Sequence, residues 1–283
     1  MNQRTTPYTA GLKRGWLDFK HTMSSPSDLF GFIFPTGIAI VVILFLRNVD
    51  IPGSPVSLGS MSLPSMMGMN VMFGGMMGVI GKIVSEREDG TLLRNKAIPG
   101  GMTGYLIGSI VSTAAFVMFG VVVLLTMGLL FFPGVSFSGP GQWLTLLLVV
   151  VVGLFATMPI GAALGSLFTN PRMLGFVMMP IMALTAISGI FYPITALPPW
   201  LQWIGQAFPM YWMGLGMRSA LLPASAVHVE IGASWRPLET FGVLALWAIL
   251  GLVLAPALLR RMARRESGSA VAERQERAMQ NVR

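Results

Sequence analysis

Six apolar runs, each about as long as the hydrocarbon core of a bilayer is thick, divide this chain. They lie at about 29–46, 63–84, 102–130, 143–168, 173–191 and 238–259. A helix needs roughly 20 apolar residues to cross that core. In lipid each backbone N–H and C=O must be satisfied within the protein, so runs of this kind fold as helices. The first carries Pro35 and the fifth Pro180, which membrane helices tolerate. With 54% hydrophobic and 11% charged residues, an ordinary soluble domain is excluded. The expected fold is an all-α polytopic membrane protein with a six-helix transmembrane domain over 29–259 and a basic tail over 260–283.

Residues 1–28 lack the short apolar core of a cleavable signal peptide. Leu12, Trp16, Phe19 and Met23 recur at helical spacing, with Lys13, Arg14, Asp18 and Lys20 between them. The pattern fits an N-terminal amphipathic helix lying in the membrane interface, against the plainer reading of a solvated tail.

Charge placement sets the orientation. Net charge is +8, concentrated at the ends of apolar runs. With six spans both termini share one side, and sixteen of the nineteen Lys and Arg residues fall there. Only Arg47, Arg218 and Arg236 fall on the other. The positive-inside bias predicts cytoplasmic termini. It also makes the basic clusters orientation signals and contacts for membrane lipids rather than a nucleic-acid site.

The second run is rich in methionine and glycine. Asn70, Gly74 and Gly78 form one helical stripe, with Met72, Met76 and Val79 nearly opposite. Small residues at that spacing let helices approach closely, and Gly104 and Gly108 repeat the spacing in the third run. The flexible thioethers suit a surface that accepts apolar ligands of varied shape, and they suit core filler equally well. Asn70, Met72, Phe73 and Met76 are the candidates for lining a substrate path.

Between the second and third runs stands Glu86-Arg-Glu-Asp-Gly-Thr-Leu-Leu-Arg94, closed by Pro99. Gly90 stops a helix, and Leu92 and Leu93 sit together among polar residues, which predicts a short element with two exposed leucines that docks into something outside the membrane. Residues 169–172, with Asn-Pro, read as a tight turn. Residues 192–222 form neither a clean span nor an ordinary loop. Pro199 opens a short helix bearing Trp200 and Trp203. Pro209 ends it, and a second short helix carries Tyr211, Trp212 and Arg218. Pieces this short cannot cross the bilayer, so two re-entrant or interfacial helices are expected.

Catalytic chemistry finds no support. Cysteine is absent, which removes disulfides, thiolates and Cys-ligated metals. His21 and His228 lack metal-ligand spacing and are expected on opposite sides. No Gly-rich phosphate loop with its lysine occurs, so the chain is expected to bind no cofactor and hydrolyse no nucleotide. The span interiors hold almost no ionisable residues, which disfavours an ion-coupled secondary transporter.

A membrane body without an engine, carrying a docking loop, resembles a permease subunit of the ABC type-2 exporter family, of the multidrug or daunorubicin type. The 86–94 stretch with Pro99 is similar to the family's E-x-x-x-G-T-L-x-R-L-x-x-x-P loop. Residues 191–203, followed by Phe208-Pro-Met-Tyr211 and Arg218, resemble its F-x-P-x-x-x-L-P-x-W-L-x region and P-x-x-Y-x-x-x-x-x-R continuation. Asn95-Lys96 departs from the family, which often has leucine next.

That resemblance implies a transport subunit of a bacterial plasma membrane, paired with two copies of an ABC ATPase that bind ATP and Mg. A second permease chain, identical or paralogous, completes the exporter. Leu92 and Leu93 would seat in the ATPase, with Gly90 and Thr91 in the same coupling helix. Glu86, Glu88, Asp89 and Arg94 would fix register through charge pairs, against the plainer reading that they solvate a helix end. Phe191, Pro193, Leu197, Pro198, Trp200, Trp203, Tyr211 and Arg218 would close the pathway from outside, a reading compatible with a plain aromatic belt. The cargo implied is amphiphilic, drug- or lipid-like; a polysaccharide or glycolipid exporter is the nearest alternative.

Overall fold

The computed structural model describes residues 6–168 and 174–265. Ten α-helices account for most of them: α1 (Pro7–Ser24), α2 (Pro26–Phe45), α3 (Leu58–Glu88), α4 (Thr91–Lys96), α5 (Gly101–Phe131), α6 (Pro140–Leu167), α7 (Leu174–Ile187), α8 (Pro199–Ala207), α9 (Pro209–Leu221) and α10 (Pro237–Arg265). Among the described residues there are no strands beyond an isolated Asp50–Ser57 bridge. The chain is an all-α polytopic membrane protein. Four helices, α3, α5, α6 and α10, are long and apolar enough to cross a bilayer, and α2 and α7 are the shorter apolar helices at the first and fifth runs.

The boundaries differ from the sequence expectation in instructive places. Helix α7 stops at Ile187 although the apolar run continues to Phe191, because Gly189 turns the backbone left-handed at φ +61°. Helix α3 begins five residues early, at Leu58, where the Ser57 side chain accepts the Ser60 N–H as an N-cap. Helix α10 runs on to Arg265, so the first residues of the expected tail are its last turns. The expected turn at 169–172 and the tail from 266 onward lie outside the described residues.

Helix α3 is the central element, packed against α5, α6 and α9. Its glycines divide the work. Gly68 faces the Met213–Gly214 backbone of α9, where a Cβ would come within 2.7 Å of the Gly214 nitrogen. Gly74 and Gly78 face Val117 and Thr113 of α5, and Gly75 faces Thr157 of α6. The stripe predicted to allow close approach does so, toward α5. Helix α10 packs mainly on α6, and α1 on α5.

The second small-residue stripe meets an unforeseen partner. Gly104 and Gly108 lie against Gly11 and Gly15 of α1. A Cβ on Gly11 would sit 2.7 Å from the Gly104 carbonyl oxygen, and one on Gly15 2.6 Å from that of Gly108. The two four-residue spacings mate backbone to backbone. Leu12, Trp16 and Leu17 remain exposed.

Candidate functional site

The docking loop is built as a turn and a cap. Gly90 adopts φ +77°, a left-handed conformation that a Cβ would disfavour. The Asp89 side chain accepts the Thr91 N–H at 2.8 Å and so starts α4. Glu88 is half-buried at the end of α3.

The leucines separate. Leu92 is 2% exposed, in a cluster with Val79 and Ile83 of α3, Tyr105 of α5, Met158 of α6 and Met262 of α10. It is therefore not one of two exposed docking leucines. It anchors α4 to the bundle, because a one-turn helix has no core of its own and must bury an apolar side chain to hold position. Leu93 is half-buried. The exposed residues of α4 and its exit are Arg94, Lys96, Ala97, Ile98 (59% exposed), Pro99 and Gly100.

Side chains tie this element to three other helices. Arg14 of α1 donates to Asn95 Oδ1 at 3.0 Å and pairs with Glu86 at 3.5 Å. Its guanidinium also lies 5.6 Å from the centre of the Tyr105 ring. Lys82 pairs with Asp18 at 3.0 Å and donates to the Ser112 hydroxyl. Lys96 Nζ donates to the Ala263 carbonyl of α10 at 2.7 Å. Arg87, which is buried, donates to the Phe168 carbonyl just past α6 at 2.8 Å. Glu86 is thus engaged inside the chain, and Asn95-Lys96, the departure from the family pattern, supplies two of the ties.

The other end of the bundle carries the second cluster. Helices α8 and α9 start at Pro199 and Pro209, each proline filling a first-turn position whose N–H needs no partner. The Trp247 indole donates to the Ala207 carbonyl between them. That residue lies ten positions into α10, roughly 15 Å along it. The far end of α9 meets the loop after α5, where Ser136 N–H bonds to the Leu221 carbonyl. Helix α9 therefore runs from beside the middle of α10 to the loop after α5.

Its core is Arg218, fully buried at 0% exposure. Nε donates to Glu230 Oε1 at 2.7 Å, and a second nitrogen reaches Oε2 at 3.3 Å. Nη1 donates to Ser65 Oγ of α3 at 2.6 Å and to the Gly189 carbonyl at 3.3 Å. One guanidinium joins α3, α9, the turn after α7 and the 224–233 segment. Tyr211 is buried beside it in the same helix, and Arg236 stacks 4.7 Å from the Trp212 ring centre. Phe191, Pro193 and Leu197 are half-buried, and Pro198 is exposed. Trp200 and Trp203 (77% exposed) point outward from α8, the placement of an aromatic belt. Glu230 is the residue the sequence reading missed. A carboxylate set between Val229 and Ile231, twelve residues after Arg218, was the available signal.

The path candidates split as well. Met72 and Met76 are buried in the core, where Met76 packs against Gly161 of α6. Asn70 and Phe73 lie on the strip of α3 that neighbouring helices half cover. The Asn70 amide sits against Gly120, and its buried Oδ1 has no hydrogen-bond partner among the described residues.

No curated protein matches the chain. Residues 48–255, well over half its length, match the family model described as ABC-2 family transporter protein. That stretch contains both the loop held by Leu92 and the helix pair centred on Arg218, so the chain belongs to the ABC-2 family of transporter membrane proteins.

Proposed function

We propose that the chain is the pathway-forming permease of an ATP-driven exporter, energised by a separate ATPase that docks on α4 from the cytoplasm. One observation carries this: a surface element with its own left-handed glycine, a buried leucine anchor and side-chain ties to α1, α6 and α10. An element held this way moves with the helices rather than independently of them, so a push on it reaches the spans. ATP and Mg belong to the partner, two copies of which would serve a pair of permeases, identical or paralogous.

The docking face in this reading is Leu93, Arg94, Ala97 and Ile98, with Leu92 as the anchor behind it. Apolar contacts at Leu93 and Ile98 supply most of the affinity, since exposed charge pairs contribute on the order of 0–1 kcal/mol each. The half-covered strip of α3 with Asn70 and Phe73 suits an amphiphilic cargo, one that offers apolar surface to Phe73. The helix pair α8–α9 would close the outer end of the path.

The test is co-purification of the ATPase subunit with the permease. Arg94→Glu with Ile98→Asp leaves the permease folded and inserted, and the ATPase no longer co-purifies. Leu92→Asp instead lowers thermal stability of the permease itself, by about 2–5 kcal/mol for a polar group in a leucine site. Undiminished co-purification of the Arg94/Ile98 variant would reject this docking face.

A further inference from the structure

The last turns of α10 carry Arg260, Arg261 and Arg264 around a groove of about 500 Å³ whose remaining lining is Val253, Pro256 and Ala257. The six follow i, i+3, i+4 spacing and so share one face of the helix. On the opposite face Gly251, Ala255 and Met262 are buried, Gly251 against Pro159 and Ile160 of α6. The groove face is thus turned away from the bundle.

Its chemistry changes along its length. Val253 is 67% exposed and, with Pro256 and Ala257, gives an apolar floor. The three arginines follow where the spanning helix leaves its apolar stretch. From Val253 to Arg264 the helix rises about 16 Å, the depth separating upper acyl chain from phosphate in one leaflet. None of the ion pairs among the described residues engages these arginines. Three adjacent uncompensated cations repel one another and favour a multivalent oxyanion, and guanidinium forks match phosphate oxygens two at a time.

We infer that this face of α10 binds one anionic phospholipid, its phosphate held by Arg260, Arg261 and Arg264 and an acyl chain laid along Ala257, Pro256 and Val253. Free phosphate would use the arginines and ignore the floor; a phospholipid uses both. All of these residues but Val253 lie beyond the stretch matched by the family model, and the inference does not depend on ATPase docking. The site does adjoin the docking element, because Lys96 donates to Ala263 within the same turn.

The test is native mass spectrometry of the full chain in detergent, titrated separately with phosphatidylglycerol and phosphatidylcholine. The wild type retains phosphatidylglycerol through detergent exchange and loses phosphatidylcholine. R260Q/R261Q/R264Q weakens phosphatidylglycerol binding on the order of a hundredfold, given the usual contribution of each arginine near an anionic surface. Ala257→Trp, which fills the floor and keeps every charge, weakens it too. Inorganic phosphate in excess leaves the bound lipid in place. Equal retention by wild type and R260Q/R261Q/R264Q overturns the site, and displacement by inorganic phosphate assigns it to a free anion instead.

Discussion

The Arg218 guanidinium is buried without exposure inside a helix bundle, a position tolerable only because every direction it points in offers an acceptor. The pair with Glu230 is weak support for stability as a whole, since desolvation offsets much of its attraction. Removing one partner is a different matter. Glu230→Ala strands a buried cation and is expected to cost about 3–5 kcal/mol, read as a large fall in the thermal midpoint of the detergent-solubilised chain. Arg218→Met combined with Glu230→Leu recovers most of that loss, because the cation that needed a partner is gone. If Glu230→Ala alone melts like the wild type, the pair contributes nothing and α9 is held by apolar packing. Half of this site was legible beforehand. Arg218 stood out through the family pattern it continues, whereas Glu230 sat beyond α9 in a segment with no periodicity to place it.

At the scale of elements, local chemistry was readable and pairing was not. Pro199 and Pro209 mark the starts of α8 and α9, because proline at the first helical turn has a strictly local cause. Gly90 marked the break before α4 for a similar reason. Leu92 facing inward could not be read, since a six-residue helix shows no periodicity that separates its inner from its outer leucine. The partner of the Gly104/Gly108 stripe was hidden for a related reason: Gly11 and Gly15 belong to a helix read by its apolar side chains, and the face that packs has none. The mating has a measurable consequence. Gly15→Leu places side-chain atoms where the Gly108 carbonyl and Val111 already stand, an overpacking expected to cost about 1–3 kcal/mol. Helix α1 then separates from α5, and the Arg14–Asn95 and Lys82–Asp18 contacts go with it. Trypsin cleavage at Lys13 or Lys20, measured in proteoliposomes, should become faster than in the wild type, while Ala10→Leu, on an exposed position of the same helix, changes little.

Across the whole molecule, the docking loop is joined to α1 by Asn95, to α10 by Lys96 and to the end of α6 by Arg87, while Leu92 fills the space between. Helix α3 continues from this loop through the bundle to Ser65, which accepts the Arg218 guanidinium near the other end. A rigid helix with an anchored loop at one end and a buried polar joint at the other can convey a displacement along its axis, provided that its end connections hold. Loosening those connections should leave both ends intact and weaken the link between them. Asn95→Ala with Lys96→Met removes two ties without touching Leu92, Arg94 or Ile98, so an ATPase docked on the outward face still co-purifies. Each lost hydrogen bond contributes about 0.5–1.5 kcal/mol, and together they correspond to roughly a five- to hundredfold loss of coupling. The measurement is cargo moved per ATP hydrolysed in proteoliposomes: the ratio falls while ATP hydrolysis continues. A variant that loses hydrolysis and transport in step would show that Asn95 and Lys96 belong to the docking face itself, and the division of this loop into an outward face and an inward anchor would have to be redrawn.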